Sequence, residues 1–260
     1  MRILFIGDIV GRPGRQAVGH WLPELREAYA LDIVVANAEN IAGGTGATPE
    51  TLEDLRQRGV EAFTMGNHTW RKRVLISAIE QMHDIVRPAN FPEGVPGKGA
   101  TVITLRDGRR LGLLNLIGRV FMDGNDCPFG RADKELTALR AQTPVVLVDM
   151  HAEATSEKVA MAWNLDGRCT AVIGTHTHVP TADERILPGG TAMITDVGMT
   201  GPRDSIIGVE REAVITKFKT GMPRTYNVAK GPVWLNGVFI EADDTSGRAT
   251  RIERVTRADV

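Results

Sequence analysis

Short, mostly apolar runs that each end in a polar cluster constrain the fold of this chain more than any other feature. They occupy residues 3–6, 32–36, 61–65, 145–148 and 171–174. Continuous apolar runs of this length are typical of strands that are buried on both faces. Segments with helical spacing separate most of them, and alternating strands and helices predict an α/β fold with a mostly parallel sheet covered by helices.

Other parts of the chain depart from this alternation. Residues 100–105 and 110–116 flank Asp107-Gly108, which predicts a β-hairpin. We expect irregular loops at 117–131 and 198–205, and the pattern does not distinguish a lid from a plain surface loop. From Glu212 onward we expect antiparallel strands with one solvated face, at 213–218, 233–242 and 248–255. Without a repeat or linker in view, we expect residues 1–260 to form a single domain.

The charge balance narrows the choice of partners. The chain has 31 basic and 32 acidic residues, so it lacks the basic footprint of a general nucleic-acid binder, and no long nucleic acid is expected. A small phosphoester remains compatible, because metal ions can supply positive charge locally. The two cysteines, Cys127 and Cys169, lack CxxC spacing and are expected to be reduced thiols. We see no signal peptide and no membrane-length apolar run, and therefore expect a cytoplasmic protein.

Four of the six histidines follow predicted strands. His20 and His83 fall within predicted helices and are interpreted as structural. The others accompany Asp8, Glu39 and Asn67 at strand ends, and they are His68, His151, His176 and His178. Carboxyl ends of parallel strands share one edge of a sheet, and a carboxylate buried there is costly without a compensating cation. The pattern therefore predicts a metal site.

The segment Gly174-Thr175-His176-Thr177-His178 has two histidines two residues apart. On a strand such residues point the same way, so the pair can reach one metal ion or two adjacent ones. Mixed imidazole and carboxylate ligands suit Zn, Fe or Mn better than Ca. The candidates outnumber the ligands of one ion and fit two ions ~3.5–4 Å apart, sharing a carboxylate and a hydroxide. Asp149 and Asp196 either orient these histidines or are plain turn acids.

An ordered set of motifs resembles the calcineurin-like metallophosphoesterases. The set comprises Asp8, Glu39-Asn40, Gly66-Asn67-His68, His151 and residues 174–178. Residues 7–14, 37–40 and 194–202 are similar to the YmdB-type branch of bacterial phosphodiesterases. This resemblance implies a four-layer α/β/β/α sandwich of two mixed sheets flanked by helices. It also implies a two-metal centre, with Fe or Mn favoured over Zn, and hydrolysis of small cyclic nucleotides, notably 2′,3′-cyclic ones.

The sequence departs from the wider superfamily at three positions. Asp8-Ile9-Val10 stands where Asp-x-His is usual, Glu39 replaces the bridging aspartate, and Thr69 replaces the acid after Asn67-His68. The missing first histidine leaves one metal ion short of a ligand, and Asn40 is placed to fill that position. These departures bear on the identity of the metal more than on the class of reaction.

The resemblance also assigns roles to the candidate residues. It places Asp8, Glu39, Asn40 and His178 around one ion, and Glu39 (bridging), Asn67, His151 and His176 around the other. A shared hydroxide attacks phosphorus, and His68 is the general acid for the leaving oxygen. The alternatives are a phosphomonoesterase or nuclease on the same centre, and a metal-binding regulatory protein with vestigial activity. The strand-rich C-terminal third offers a surface for a homo-oligomer.

Overall fold

The computed structural model describes residues 1–259, which contain two β-sheets and six α-helices. The strands of the first sheet are β1 (Arg2–Ile6), β2 (Asp8–Ile9), β3 (Ile33–Asn37), β4 (Ala62–Thr64), β5 (Ile85–Val86), β12 (Met199–Pro202), β13 (Val233–Ala242) and β14 (Ala249–Ala258). The strands of the second sheet are β6 (Ala100–Thr104), β7 (Arg110–Ile117), β8 (Val146–His151), β9 (Ala171–Thr175), β10 (Arg185–Ile186) and β11 (Ala192–Ile194).

Both sheets are mixed. The first runs in the order β2-β12-β13-β1-β3-β4-β5, with β14 beside β13, and its strands β1, β3, β4 and β5 are parallel. The second runs β10-β11-β9-β8-β7-β6, and its four central strands are parallel. The expected hairpin is confirmed, because β6 and β7 pair in antiparallel register.

The six α-helices include five that pack on the outer faces of the two sheets. The six are α1 (Gly11–Tyr29), α2 (Pro49–Gln57), α3 (Arg73–Ala78), α4 (Pro128–Arg140), α5 (Thr155–Asn164) and α6 (Arg211–Thr220), and a 3₁₀ turn spans Ile79–Gln81. Helix α2 shows how sequence sets a boundary. Thr48 accepts the Thr51 amide at its N-terminus, and Pro49 occupies the first turn, where its missing N–H has no helical partner.

The burial of β1 explains the layered architecture. Ile3 and Phe5 pack between the sheets, against residues such as Leu147 and Ile173. Leu4 and Ile6, on the other face, pack under α1 and α2, while a third cluster joins α4 and α5 to the second sheet. Each such fully buried side chain contributes about 1.5–3 kcal/mol to folding. The four-layer α/β/β/α sandwich is confirmed.

Residues 213–218, predicted as a strand, lie in helix α6. The β-branched run Val214-Ile215-Thr216 favours a strand by local propensity, but only Val214 of the helix is buried. The helix ends at Gly221, which has φ +67° and provides the left-handed conformation common after a helix C-terminus. Because most of this helix is exposed, it lacks the half-buried surface on which β-branched side chains favour a strand.

Three further expectations were wrong in detail. Residues 199–202 of the expected loop form β12, which pairs with β2 and β13; the short segment, with Gly201 and Pro202, lacks the alternation that marks a strand. Only the first part of 117–131 is irregular, because α4 begins at Pro128. His83 is exposed and follows the 3₁₀ turn rather than lying in a helix. Cys127 and Cys169 are free thiols, as expected.

Among the helices of residues 1–259, we find none with the length and apolar character needed to cross a bilayer.

Candidate metal centre

The candidate site lies where carboxyl ends of strands from both sheets meet. Asp8 begins β2, just after β1, while Glu39 and Asn40 follow β3, and Asn67 and His68 follow β4. The second sheet contributes His151, the last residue of β8, and two histidines after β9. The structure thus brings together every residue that the sequence nominated, namely Asp8, Glu39, Asn40, Asn67, His68, His151, His176 and His178.

One group of side chains surrounds Nε2 of His151. This nitrogen lies 2.9 Å from Oδ1 of Asn67, 3.1 Å from Nδ1 of His176 and 3.4 Å from Oε2 of Glu39. Ligand atoms of Glu39, His151 and His176 all lie within 4.8 Å of one another. This spacing fits donor atoms arranged around a single cation.

A second group surrounds Nε2 of His178. It lies 3.2 Å from Nδ2 of Asn40 and 3.8 Å from Oδ1 of Asp8. The same amide nitrogen of Asn40 is 3.2 Å from Oε1 of Glu39. The two carboxylate oxygens of Glu39 therefore face different groups, Oε2 toward His151 and Oε1 toward Asn40.

His68 lies beside both groups. Its Nδ1 is 2.7 Å from Oδ1 of Asn40 and 3.1 Å from Oε1 of Glu39. Its backbone N–H donates to Oε2 of Glu39 at 2.9 Å. The His68 side chain is 24% exposed, whereas those of Glu39 and His151 are fully buried. Its Nε2 makes no hydrogen bond within residues 1–259, so this is the nitrogen open to a ligand.

The pKa values of the two buried carboxylates shift in opposite directions. Burial raises the pKa of Asp8, although the nearby His178 and His151 oppose the shift. Burial also acts to raise the pKa of Glu39, but the charge of His151, with hydrogen bonds from His151 and His68, holds it well below the usual value. The Glu39 carboxylate is therefore the anionic centre of the site.

The histidines of the Glu39 group also differ from each other. Burial acts to lower the pKa of His151, but Glu39, Asp8 and Asp149 outweigh it and raise that pKa to about 9. Burial and the neighbouring charge of His151 lower the pKa of His176 to about 3. His176 therefore stays neutral, which is the form of imidazole that binds metals.

Two observations test whether these residues suit a cation. Oδ1 of Asp8 is buried and accepts no hydrogen bond from residues 1–259, and a carboxylate oxygen in that position is costly without positive charge. A Cβ at Gly66 would clash with both Nε2 of His151 and Oε2 of Glu39, so the chain keeps this space clear of side-chain atoms. Both observations, and the mixed N and O donors, fit transition-metal ions.

The two histidines after β9 have unusual backbone conformations. The strand ends at Thr175, and φ is +98° at His176 and +67° at His178. The expectation that they point the same way from a strand was therefore wrong, because both follow the end of β9 with left-handed angles. They face two adjacent groups, which is one of the alternatives that the spacing left open. Residues other than glycine rarely adopt such angles, and each costs of order 1–3 kcal/mol unless its surroundings impose it.

A buried carboxylate holds this loop from behind. Oδ2 of Asp196 accepts hydrogen bonds from the Thr177 amide at 3.1 Å and its hydroxyl at 2.6 Å. The same oxygen pairs with Nζ of Lys158 at 2.8 Å, and Oδ1 accepts the Gly198 amide. Lys158 and Asp196 are 3% and 1% exposed, so the pair is fully desolvated. Asp196 thus touches the residue between the two strained histidines.

The sequence did not point to two further contacts of these histidines. Nε2 of His176 lies 3.1 Å from Oε2 of Glu153, and Nδ1 of His178 lies 2.9 Å from the carbonyl oxygen of Ile207. These contacts orient each ring so that its other nitrogen faces the site. Glu153, two residues after His151, was within reach of pattern analysis, but the carbonyl of Ile207 and the side chain of Lys158 carry no sequence signal of such a role.

Comparisons with known proteins find similar proteins over nearly the whole chain. The chain is 51% identical over 255 residues to a Bacillus subtilis protein named 2′,3′-cyclic-nucleotide 2′-phosphodiesterase, covering 98% of this chain and 96% of that protein. A crystal structure of a hypothetical protein from Thermus thermophilus matches with a TM-score of 0.93 and 42% identity over 100% of both chains. A crystal structure described as a novel phosphatase from Mycoplasma pneumoniae matches with a TM-score of 0.93 and 35% identity, covering 99% of this chain and 93% of that one.

A model of a protein family gives the broadest match. The family described as YmdB-like protein matches residues 4–255, which include every residue of the candidate centre. Because this match spans nearly the whole chain, the chain belongs to the YmdB-like family.

Proposed function

We propose that this protein is a two-metal phosphodiesterase that hydrolyses small cyclic nucleotides, with 2′,3′-cyclic nucleotides as the favoured substrates. The observation that carries the proposal is the position of Glu39, whose two oxygens face two separate groups of nitrogen and oxygen ligands. A single carboxylate shared in this way is the arrangement that two-metal hydrolases use. The substrate preference is supported by the name of the Bacillus subtilis relative at 51% identity.

The two ligand groups define the two metal sites. Asp8, Glu39, Asn40 and His178 would hold one ion, and Glu39, Asn67, His151 and His176 the other. At Asn40, the amide nitrogen faces His178 and the oxygen faces His68. Turning this amide by 180° directs its oxygen toward the first ion and its nitrogen toward Nδ1 of His68. Transition metals suit both groups, and we favour Fe or Mn over Zn.

The reaction needs a nucleophile, charge neutralisation and a proton for the leaving oxygen. When bound, the two ions lower the pKa of water and neutralise charge on the phosphoryl oxygens. His68 supplies the proton, because the turned Asn40 amide donates to its Nδ1, which leaves the ring proton on Nε2, the nitrogen open to the substrate. The Glu39 bond to the His68 amide fixes the backbone that carries this ring.

One set of assays tests the reaction class. The purified protein is analysed for bound metals and incubated with 2′,3′- and 3′,5′-cyclic nucleotides, a generic bis-phosphoester, a phosphomonoester and single-stranded RNA. We expect two metal equivalents per chain and the fastest hydrolysis with 2′,3′-cyclic nucleotides. Two bound metals without hydrolysis of any diester would contradict the proposal, and turnover of the monoester alone would identify a phosphomonoesterase.

A substitution tests the role of His68. The variant His68→Ala should keep both metal ions and lose about 10²–10⁴-fold in kcat, because general acid catalysis contributes that much. His83→Ala is the matched control, since His83 is an exposed histidine outside the site. Metal content is measured alongside kcat in both variants. Loss of the metals from His68→Ala would instead identify His68 as a ligand.

A further inference from the structure

A chain of buried hydrogen bonds lies behind His151, on the side away from the metal centre. Oγ1 of Thr175 lies 2.8 Å from Nδ1 of His151 and 2.7 Å from Oδ1 of Asp149. All three residues are fully buried. They come from adjacent parallel strands, in which His151 pairs with Thr175, so the sheet register brings these side chains together.

The direction of these bonds follows from the number of protons available. A threonine hydroxyl has one proton, and Asp149 as a carboxylate can only accept it. Thr175 therefore donates to Asp149 and accepts from His151, which fixes a proton on Nδ1 both when the ring is charged and in the neutral form that binds a metal ion. The lone pair is then on Nε2, the nitrogen that faces Asn67, His176 and Glu39.

The same carboxylate also connects the two sheets. Oδ2 of Asp149 accepts the hydroxyl of Thr64 at 2.5 Å and the side-chain amide of Asn37 at 3.2 Å. Asn37 and Thr64 end β3 and β4 of the first sheet, whereas Asp149 belongs to the second. The side-chain oxygen of Asn37 in turn accepts the backbone amide of Glu39 at 3.1 Å. One buried network thus holds His151 from one sheet and the Glu39 segment from the other.

We propose that Thr175 and Asp149 are positioning residues for the metal centre: they select the His151 tautomer that presents Nε2, and they set its distance from Glu39. The inference rests on the proposed function, because it requires Nε2 of His151 to bind a metal ion. Hydrogen-bond partners behind a metal-binding histidine typically contribute 10–100-fold to metal affinity.

The chain supplies a matched pair of threonines for the test. Thr175 and Thr170 lie at opposite ends of the β9 segment, and both are fully buried with hydrogen-bonded hydroxyls. Thr170 donates to the carbonyl of Gly247, away from the metal centre. The variants Thr175→Val, Thr175→Ser and Thr170→Val are prepared as holoenzymes. Release of the metals to a colorimetric chelator gives the affinity, and unfolding in urea gives the stability.

We expect Thr175→Val to bind metal about 10–100-fold more weakly than the wild type. Thr175→Ser, which keeps the hydroxyl, and Thr170→Val should retain the wild-type affinity. Equal metal affinity in Thr175→Val and Thr170→Val would overturn the proposal. Thr64→Val provides a second route if Thr175→Val fails to fold. It removes one donor to Asp149, so its affinity should fall below that of Thr170→Val, and equality of these two would likewise overturn the proposal.

These measurements distinguish a failure of the positioning role of Thr175 and Asp149 from a failure of the proposed function. If the wild type binds two metal ions but hydrolyses no diester, the proposed function fails, whereas the affinities of the threonine variants still decide the positioning role.

Discussion

His151 and the pair His176 and His178 reach the same centre on very different supports. His151 is the last residue of a buried strand and has ordinary extended backbone, and its ring is held by a neutral hydroxyl. The other two lie beyond the end of β9 with left-handed backbone angles, and the buried ion pair between Lys158 and Asp196 holds the residue between them. The strand needs no strain to place its ligand, whereas the loop does.

This difference separates two costs that a metal site can impose. The pairing of a strand in the sheet fixes the backbone position of a ligand that it carries, so only the orientation of the ligand's ring remains to be fixed. Ligands on a tight loop require an unfavourable backbone, and other interactions must hold that backbone in place. We therefore expect changes behind His151 to act mainly on metal affinity, and changes behind the loop to act on stability as well.

The largest expected effect comes from removing Asp196. In Asp196→Ala the buried ammonium of Lys158 loses its partner, and breaking such a pair costs about 3–5 kcal/mol. Urea unfolding with a chelator present measures this loss without the contribution of bound metal. Asp204→Ala is the control, because the Asp204 side chain is 52% exposed and its ion pair with Arg203 should contribute at most about 1 kcal/mol. Similar losses of stability in the two variants would contradict the role of the Lys158–Asp196 ion pair in holding the loop.

One substitution made at two histidines should change stability in opposite directions. His151→Asn removes the imidazole that donates to the hydroxyl of Thr175, which keeps only its bond to Asp149, and should destabilise the protein by about 1–3 kcal/mol. His178→Asn places a residue that tolerates left-handed angles at φ +67° and should stabilise it by up to about 1 kcal/mol. Unfolding is compared in chelator, and both variants should bind metal more weakly. If both substitutions destabilised the protein, the proposed difference between the strand that carries His151 and the loop that carries His178 would be contradicted.

The smallest expected effect is local. Stripping metal with a chelator should accelerate hydrogen exchange in residues 176–178, because the metal helps to hold a strained loop. Amides of β8 should exchange unchanged, since the sheet holds that strand. Exchange followed by mass spectrometry with and without chelator makes the comparison. Equal acceleration in both segments would show that the loop is no more dependent on metal than the strand.

Sequence patterns predicted most where structure is determined locally or by simple periodicity. The apolar runs correctly predicted β1, β3 and β8 as buried strands, since a strand with both faces covered must be apolar throughout. Helix α6 was missed because the local propensity of Val214, Ile215 and Thr216 favours a strand. The residue types at strand ends nominated Asp8, Glu39, Asn67 and four histidines, and the family resemblance added Asn40; the structure brings these residues together.

What the sequence could not predict depends on contacts between distant segments. Lys158 and Asp196 are 38 residues apart, and neither neighbourhood shows that they pair. The choice between orienting partners and plain turn acids for Asp149 and Asp196 required the contacts of Thr175 and Thr177. The left-handed angles of His176 and His178 depend on where β9 ends, and strand boundaries are the least certain part of any pattern analysis.

The position of β13 determines when the first sheet can be completed during synthesis of the chain. Residues 233–242 pair with β1, at the centre of the first sheet, so that sheet stays incomplete until these residues have left the ribosome. Asp8 lies directly after β1, and His178 is not made until two thirds of the chain exists. A centre that includes both Asp8 and His178 can therefore be completed only after residue 178 has been synthesised.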